Sequence, residues 1–257
     1  MTLILNEELS NRFKQALSAS TEELFQLVLD PNPEILQIIL KNRHLNEDHL
    51  LALLKRRDLA EELLKSIYQR RADALSHKLL LALAKNPNTP GTINRTLLLR
   101  LHLFELVDLC LSPGVTPDQR LAAERVIIQR LPTTPLGSKI SLARRATALI
   151  VAELLKDGDP KLISTCLNNP RLQEAAIYQF LQSSKANTET ISLIARHPRW
   201  QQRPSLRLAI LKNRQTPSLW FKLWVPKLQT PLLKQLLAGR QLNLEQKALI
   251  LLELKQR

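Results

Sequence analysis

Between Glu189 and Glu245 the chain carries no acidic residue, yet it holds Arg196, Arg199, Arg203, Arg207, Lys212, Arg214, Lys222, Lys227, Lys234 and Arg240. All three tryptophans, Trp200, Trp220 and Trp224, fall in the same stretch. Clustered guanidinium and ammonium groups bind phosphates by displacing condensed counterions, and aromatic side chains offer faces on which bases stack. The combination points to a polyanionic partner. Nucleic acid is the leading candidate and an acidic protein or membrane surface the rival; a solvated face that only keeps the protein soluble is the plainest alternative. The candidate contact residues are Arg196, Arg199, Trp200, Arg203, Arg207, Lys212, Arg214, Lys222 and Lys227.

The charge is unevenly spread. Residues 1–127 hold 16 Lys+Arg against 16 Asp+Glu, whereas residues 128–257 hold 21 against 7, so the whole net charge of +14 lies in the second half. Groups that could do covalent or acid–base chemistry are sparse. The chain has no Gly-rich phosphate loop, no zinc-ligand spacing, no nucleophile elbow and no paired catalytic carboxylates. The five histidines, His44, His49, His77, His102 and His197, are scattered, and His197 reads as a loop residue without a role. Cys110 and Cys166 are too few for a disulfide framework and too far apart for a metal pair, which leaves them as small buried hydrophobes. We therefore expect a non-enzymatic protein without a cofactor or metal.

The elements that must position the basic stretch announce themselves by repetition. "LALAKNPNTPGTI" begins at Leu81, and "LAILKNRQTPSLW" begins at Leu208. At the offset that carries Leu81 onto Leu208, Leu79 to Pro90 matches Leu206 to Pro217 at seven of twelve positions. The segments beginning at Asp30 and Asp157 share Asp, Pro, Leu, Asn and Leu in the same register. No gap is needed, so the chain reads as two tandem copies, 1–129 and 130–257, forming one continuous domain.

Shorter units lie inside each copy. Thr-Pro recurs at Thr89, Thr116, Thr134, Thr216 and Thr230, where threonine can cap a helix and proline fits its first position because the missing N–H had no partner there. Ser20 with Glu23, Thr116 with Gln119 and Asp58 with Glu61 have capping-box spacing. Asn42, Asn86, Asn169 and Asn213 close apolar stretches. Between these marks leucine and isoleucine recur at helical spacing, as in Leu50, Leu51, Leu53, Leu54 and again in Ile177, Phe180, Leu181. Five glycines in 257 residues fit helices better than strands and their turns. Helices of about 8 to 14 residues are barely stable alone in water. They must stack, which predicts an all-α solenoid of short helix pairs.

Phrases such as "LLKDGDPKLISTCLNNPRLQEAAIYQFL" and "ALAKNPNTPGTI" resemble the HEAT-like superhelical proteins, most closely the leucine-rich repeat variant group, whose units read Leu-x-x-Asn-Pro before the next helix. The resemblance covers nearly the whole chain and implies a curved scaffold. Members of that group can carry an iron–sulfur cluster on clustered cysteines, which this chain lacks. Among HEAT-like proteins the DNA glycosylases form the enzymatic alternative, and their carboxylate would have to come from Asp157, Asp159 or Glu189.

Aligning the copies also sorts the tryptophans. Trp220 and Trp224 fall on Ile93 and Leu97 and are expected in the core; Trp200 falls on Asp73 and is expected at the surface, available for stacking. The opening "MTLILNEELSNRFK" lacks the basic leader and long apolar core of a signal peptide, and no run approaches a membrane span, so a cytoplasmic location is expected.

Overall fold

The computed structural model describes residues 2–70, 75–239 and 241–257, with side chains from residue 8 onward. Every regular element among them is helical, and the chain divides into two units, Met1–Ile127 and Ile128–Arg257. Arg240 and Asp73, which figure in the expectations above, lie outside the described residues.

The first unit runs through α1 (Thr2–Ser18), α2 (Thr21–Leu27), α3 (Pro33–Ile39), α4 (Glu47–Leu54), α5 (Glu61–Arg70), α6 (His77–Lys85), α7 (Gly91–Arg100) and α8 (Leu103–Leu111), and α9 (Pro117–Arg130) begins there. The second contains α10 (Leu136–Arg145), α11 (Ala148–Leu155), α12 (Pro160–Leu167), α13 (Glu174–Leu181), α14 (Thr188–Arg196), α15 (Pro204–Lys212), α16 (Ser218–Trp224), α17 (Thr230–Ala238) and α18 (Leu244–Gln256). Two short 3-10 turns, Leu131–Thr133 and Val225–Lys227, complete it.

Helix boundaries recur with the sequence. At the offset that relates Leu81 to Leu208, both ends of α4, α6 and α8 reappear as the ends of α13, α15 and α17. All five Thr-Pro pairs lie at helix starts, opening α7, α9, α10, α16 and α17. Two of the three expected capping boxes form. Ser20 and Glu23 exchange bonds of 2.8 and 3.4 Å, and Thr116 and Gln119 exchange bonds of 3.0 and 3.2 Å. Asp58 behaves differently from its expected cap role: its carboxylate takes two bonds from the Arg56 guanidinium, at 3.0 and 2.6 Å. A nearby charged fork competes better for a carboxylate than a single amide does.

Packing follows sequence order. In the first unit α1 lies on α3 and α3 on α5, while α2, α4, α6 and α8 form a parallel series. The second unit repeats the scheme with α10, α12 and α14 in one row and α11, α13 and α15 in the other; α16 continues against α18. Most helices thus cover the stripe of the helix two places along, while α7 packs on α6 and α17 on α18, the packing of a solenoid-like all-α fold. Leu53, Leu64 and Leu83 fill the first unit and Ile163, Ile177, Phe180 and Phe221 the second. Cys110 and Cys166 are buried there as expected, and burial pushes both thiols up to about 12, so neither is a thiolate at neutral pH.

Candidate polyanion-binding surface

The asparagines that end apolar runs do more than stop helices. Asn169, just past α12, donates through Nδ2 to the carbonyls of Ala143 and Ala146 at 2.7 and 3.3 Å, beside the end of α10, and its Oδ1 accepts the Arg171 amide at 2.7 Å. Asn213, just past α15, donates to Leu181 O at 2.6 Å, the last residue of α13, and accepts the Gln215 amide at 2.8 Å. Carbonyls at helix ends lack intrahelical partners, so these amides satisfy what would be orphaned acceptors. Asn213 also holds the turn that carries Arg214.

The basic residues fall into two groups according to whether their side chains have partners. Arg199 donates to the carbonyls of Asn169, Pro170 and Leu172 at 2.9, 3.3 and 3.2 Å, and its guanidinium carbon lies 4.3 Å from the centre of the Trp200 ring. Arg207 donates to Gln201 O and stands 5.8 Å from the Trp224 ring centre. Arg203 lies 3.9 Å from the Glu174 carboxylate. Arg199 and Arg207 serve the fold first, whereas Arg203 is exposed and held, among the described residues, only by this long ion pair. Arg196, Lys212, Arg214, Lys222 and Lys227 are exposed, and their side chains make no hydrogen bond or ion pair among the described residues. Arg196, Lys212 and Lys222 occupy the last turns of α14, α15 and α16, where helix carbonyls favour a cation.

Trp200 overturns its expectation. It is only 3% exposed, and its indole N–H donates to Leu167 O at 3.0 Å, at the end of α12. The turn from His197 to Trp200 points the ring inward, where a large apolar surface with one polar edge both fills space and satisfies an unpartnered carbonyl. An aspartate at the aligned position therefore says nothing about exposure here. Trp220 and Trp224 are in the core as expected, with ring centres 5.0 Å apart. No tryptophan of the second unit is free to stack on a base.

A surface aromatic exists nonetheless. Tyr178 on α13 is 42% exposed and lines a groove of about 630 Å³ with Gln182, Lys212, Arg214 and Gln241. The structure thus brings two of the expected cations, Lys212 and Arg214, beside an aromatic that the sequence reading passed over; Arg196, Lys222 and Lys227 stand outside the groove. The signal was available. Ile177, Phe180 and Leu181 mark the buried stripe of α13, and Tyr178 lies off it.

Of the three candidate carboxylates, Glu189 is exposed near the start of α14 without a side-chain bond among the described residues, and the other two have partners. Asp157 pairs with Lys139 at 2.7 Å, and Asp159 caps α12 by accepting the amides of Lys161 and Leu162 at 2.9 and 3.1 Å. His49 is fully buried and uses both ring nitrogens, toward the Asn46 amide and Thr21 O at 3.1 and 2.9 Å. His77 and His102 are not scattered: their rings stack with centres 4.0 Å apart. The sequence could not show this, because one opens α6 and the other precedes α8, and only the packing of those helices joins them.

Among the described residues no helix is long and apolar enough to cross a membrane. Fold and surface together define an all-helical protein of the helical-repeat kind. Comparison with protein-family models, curated proteins and solved structures gives no match.

Proposed function

We propose that the second unit is a polyanion-binding module whose preferred ligand is single-stranded nucleic acid, docked in the groove between α13 and α15. One observation carries this reading: Lys212 and Arg214, both exposed and unpaired, line the same groove as the exposed Tyr178, with no carboxylate among the described residues of its wall. Phosphates would be neutralised by the two cations and a base would stack on the phenol ring. Arg196, Lys222 and Lys227 would extend the field that draws the strand in.

The recurrence of helix ends at one constant offset supports descent from a duplicated half, with only the second copy made basic. HEAT-like kinship and a cytoplasmic location belong to the same reading. A second reading, a protein-binding scaffold, draws support from Leu219 and Leu223, both about half exposed and one turn apart on α16.

Titrating the full chain with fluorescent single-stranded RNA, single-stranded DNA and duplex DNA over a range of salt tests the proposal. The expected result is tighter binding of single strands, with log affinity falling linearly against log salt at roughly −0.7 per phosphate contacted. Absence of binding at low salt would refute it and favour the scaffold.

A further inference from the structure

We propose that His77, His102 and Glu105 form a binding site for a single divalent transition-metal ion of the zinc class. Each side chain offers one ligand atom, and the three atoms all lie within 4.8 Å of one another. The two imidazoles stack with centres 4.0 Å apart and planes 13° from parallel, and His77 Nδ1 is 3.2 Å from Glu105 Oε2. The site lies in the first unit and is independent of the polyanion reading.

The chemistry of the donor set selects the ion. Two imidazole nitrogens and one carboxylate match borderline divalent metals, which bind such atoms at about 2.0–2.2 Å, whereas calcium and magnesium prefer oxygen alone. Three protein ligands leave at least one coordination position to solvent, and both histidines are exposed. Their exposure also lets the rings turn from the stacked arrangement toward a shared point without disturbing the core.

The backbone around the cluster is fixed on both sides. Glu105 Oε2 accepts the His102 amide at 2.7 Å, which holds the carboxylate at the start of α8. Ser76 precedes His77 and ties the start of α6 in two ways: its hydroxyl donates to Glu47 Oε1 at 2.7 Å and accepts the Leu79 amide at 3.2 Å. Two helix N-termini meet here, and their partial positive charge opposes a cation. The Glu105 charge must therefore be decisive for holding the ion.

The full chain, stripped with chelator and dialysed, would be titrated with Zn²⁺ by calorimetry and with Co²⁺ by visible absorption. Expected is one tight equivalent, with a Co²⁺ ligand-field band. His102→Ala, His77→Ala and Glu105→Gln should each weaken binding by at least about tenfold, and Glu105→Gln should do so although it preserves size and hydrogen bonding. His44→Ala, outside the cluster, should leave binding unchanged. Circular dichroism of each metal-free variant would confirm an intact helical fold, as the exposure of the cluster leads one to expect. A chain that takes up no ion at millimolar Zn²⁺, or whose ion survives Glu105→Gln and His102→Ala unaltered, would overturn the proposal.

Discussion

Asn42 and Asn169, equivalent positions of the two sequence copies, make the same bonds. Asn42 donates through Nδ2 to Ala16 O and Ala19 O at 2.8 and 3.1 Å and accepts the His44 amide at 2.7 Å; Asn169 donates to Ala143 O and Ala146 O and accepts the Arg171 amide. Each side chain joins the end of its own helix to the end of the helix two places back. Asn86 does the same for Leu54 and Arg56, at 3.2 and 2.7 Å. In a solenoid of short helices these amides set the spacing between layers, since the carbonyls they serve have no other helical partner.

Replacing Asn169 by alanine should therefore cost about 1–3 kcal/mol, the penalty for leaving buried carbonyls unsatisfied. Asn169→Asp should cost more, because a carboxylate has no N–H to donate and would be charged where the asparagine is buried. Urea unfolding followed by circular dichroism would measure both, and a loss below about 0.5 kcal/mol for the alanine variant would contradict the bracing role.

The tryptophans give a second test. Trp200 and Trp220 are both buried, so Trp200→Ala should destabilise as Trp220→Ala does, by about 3–5 kcal/mol each. Trp200→Phe keeps most of the volume but leaves Leu167 O without its indole donor, and should fall between wild type and alanine. If Trp200→Ala unfolded at the same urea concentration as wild type, the ring would have to lie at the surface after all.

Much of the fold was legible because local chemistry dictates it. Thr-Pro pairs can hardly do anything but open helices, and the leucine stripes between them had to be buried in pairs. Trp200 was misjudged because exposure in a turn depends on which way the turn faces, and no local pattern encodes that; Tyr178 was legible from the helical stripe of α13, which it lies off, and was passed over. The arginines misled in another way. Composition counts every guanidinium as free charge, but Arg199 and Arg207 direct their donors at backbone carbonyls. His77 and His102 met only through the packing of α6 on α8.

That division among the cations predicts a division in behaviour. Lys212→Gln, Arg214→Gln and Lys222→Gln together should flatten the salt dependence of nucleic-acid binding by up to about 2–3 units of slope, while leaving the unfolding midpoint near wild type. Arg199→Gln should do the reverse, lowering stability with little change in slope, because its donors are already committed to Asn169, Pro170 and Leu172. Tyr178→Ala should weaken single-strand binding by about 1–3 kcal/mol and leave the slope unchanged. Equal slope changes from Arg214→Gln and Arg199→Gln, each made alone, would erase the distinction between structural and free charge.

His197 should make stability depend on pH in a definite direction. Its Nδ1 accepts the Arg199 amide at 3.3 Å and its Nε2 faces Asn168 Oδ1 at 3.2 Å, an arrangement that assigns the neutral ring with its proton on Nε2. A second proton would have to sit on Nδ1, against an N–H. Burial, and then the neighbouring Arg199 charge, hold the folded residue below the ordinary histidine value of about 6.5. Between that ordinary value and the lower folded one, the unfolded chain binds more protons than the folded chain, so the free energy of unfolding rises with pH. This contribution is complete above about pH 6.5 and is lost as pH falls through the folded value. In His197→Gln it should be absent, so the stability difference between wild type and variant should be constant above pH 7 and should shift in favour of the variant as pH drops from 6.5 toward 5. Urea midpoints at half-unit steps would resolve the two curves, and parallel curves across that window would mean that His197 is protonated as readily in the folded protein as in the unfolded chain.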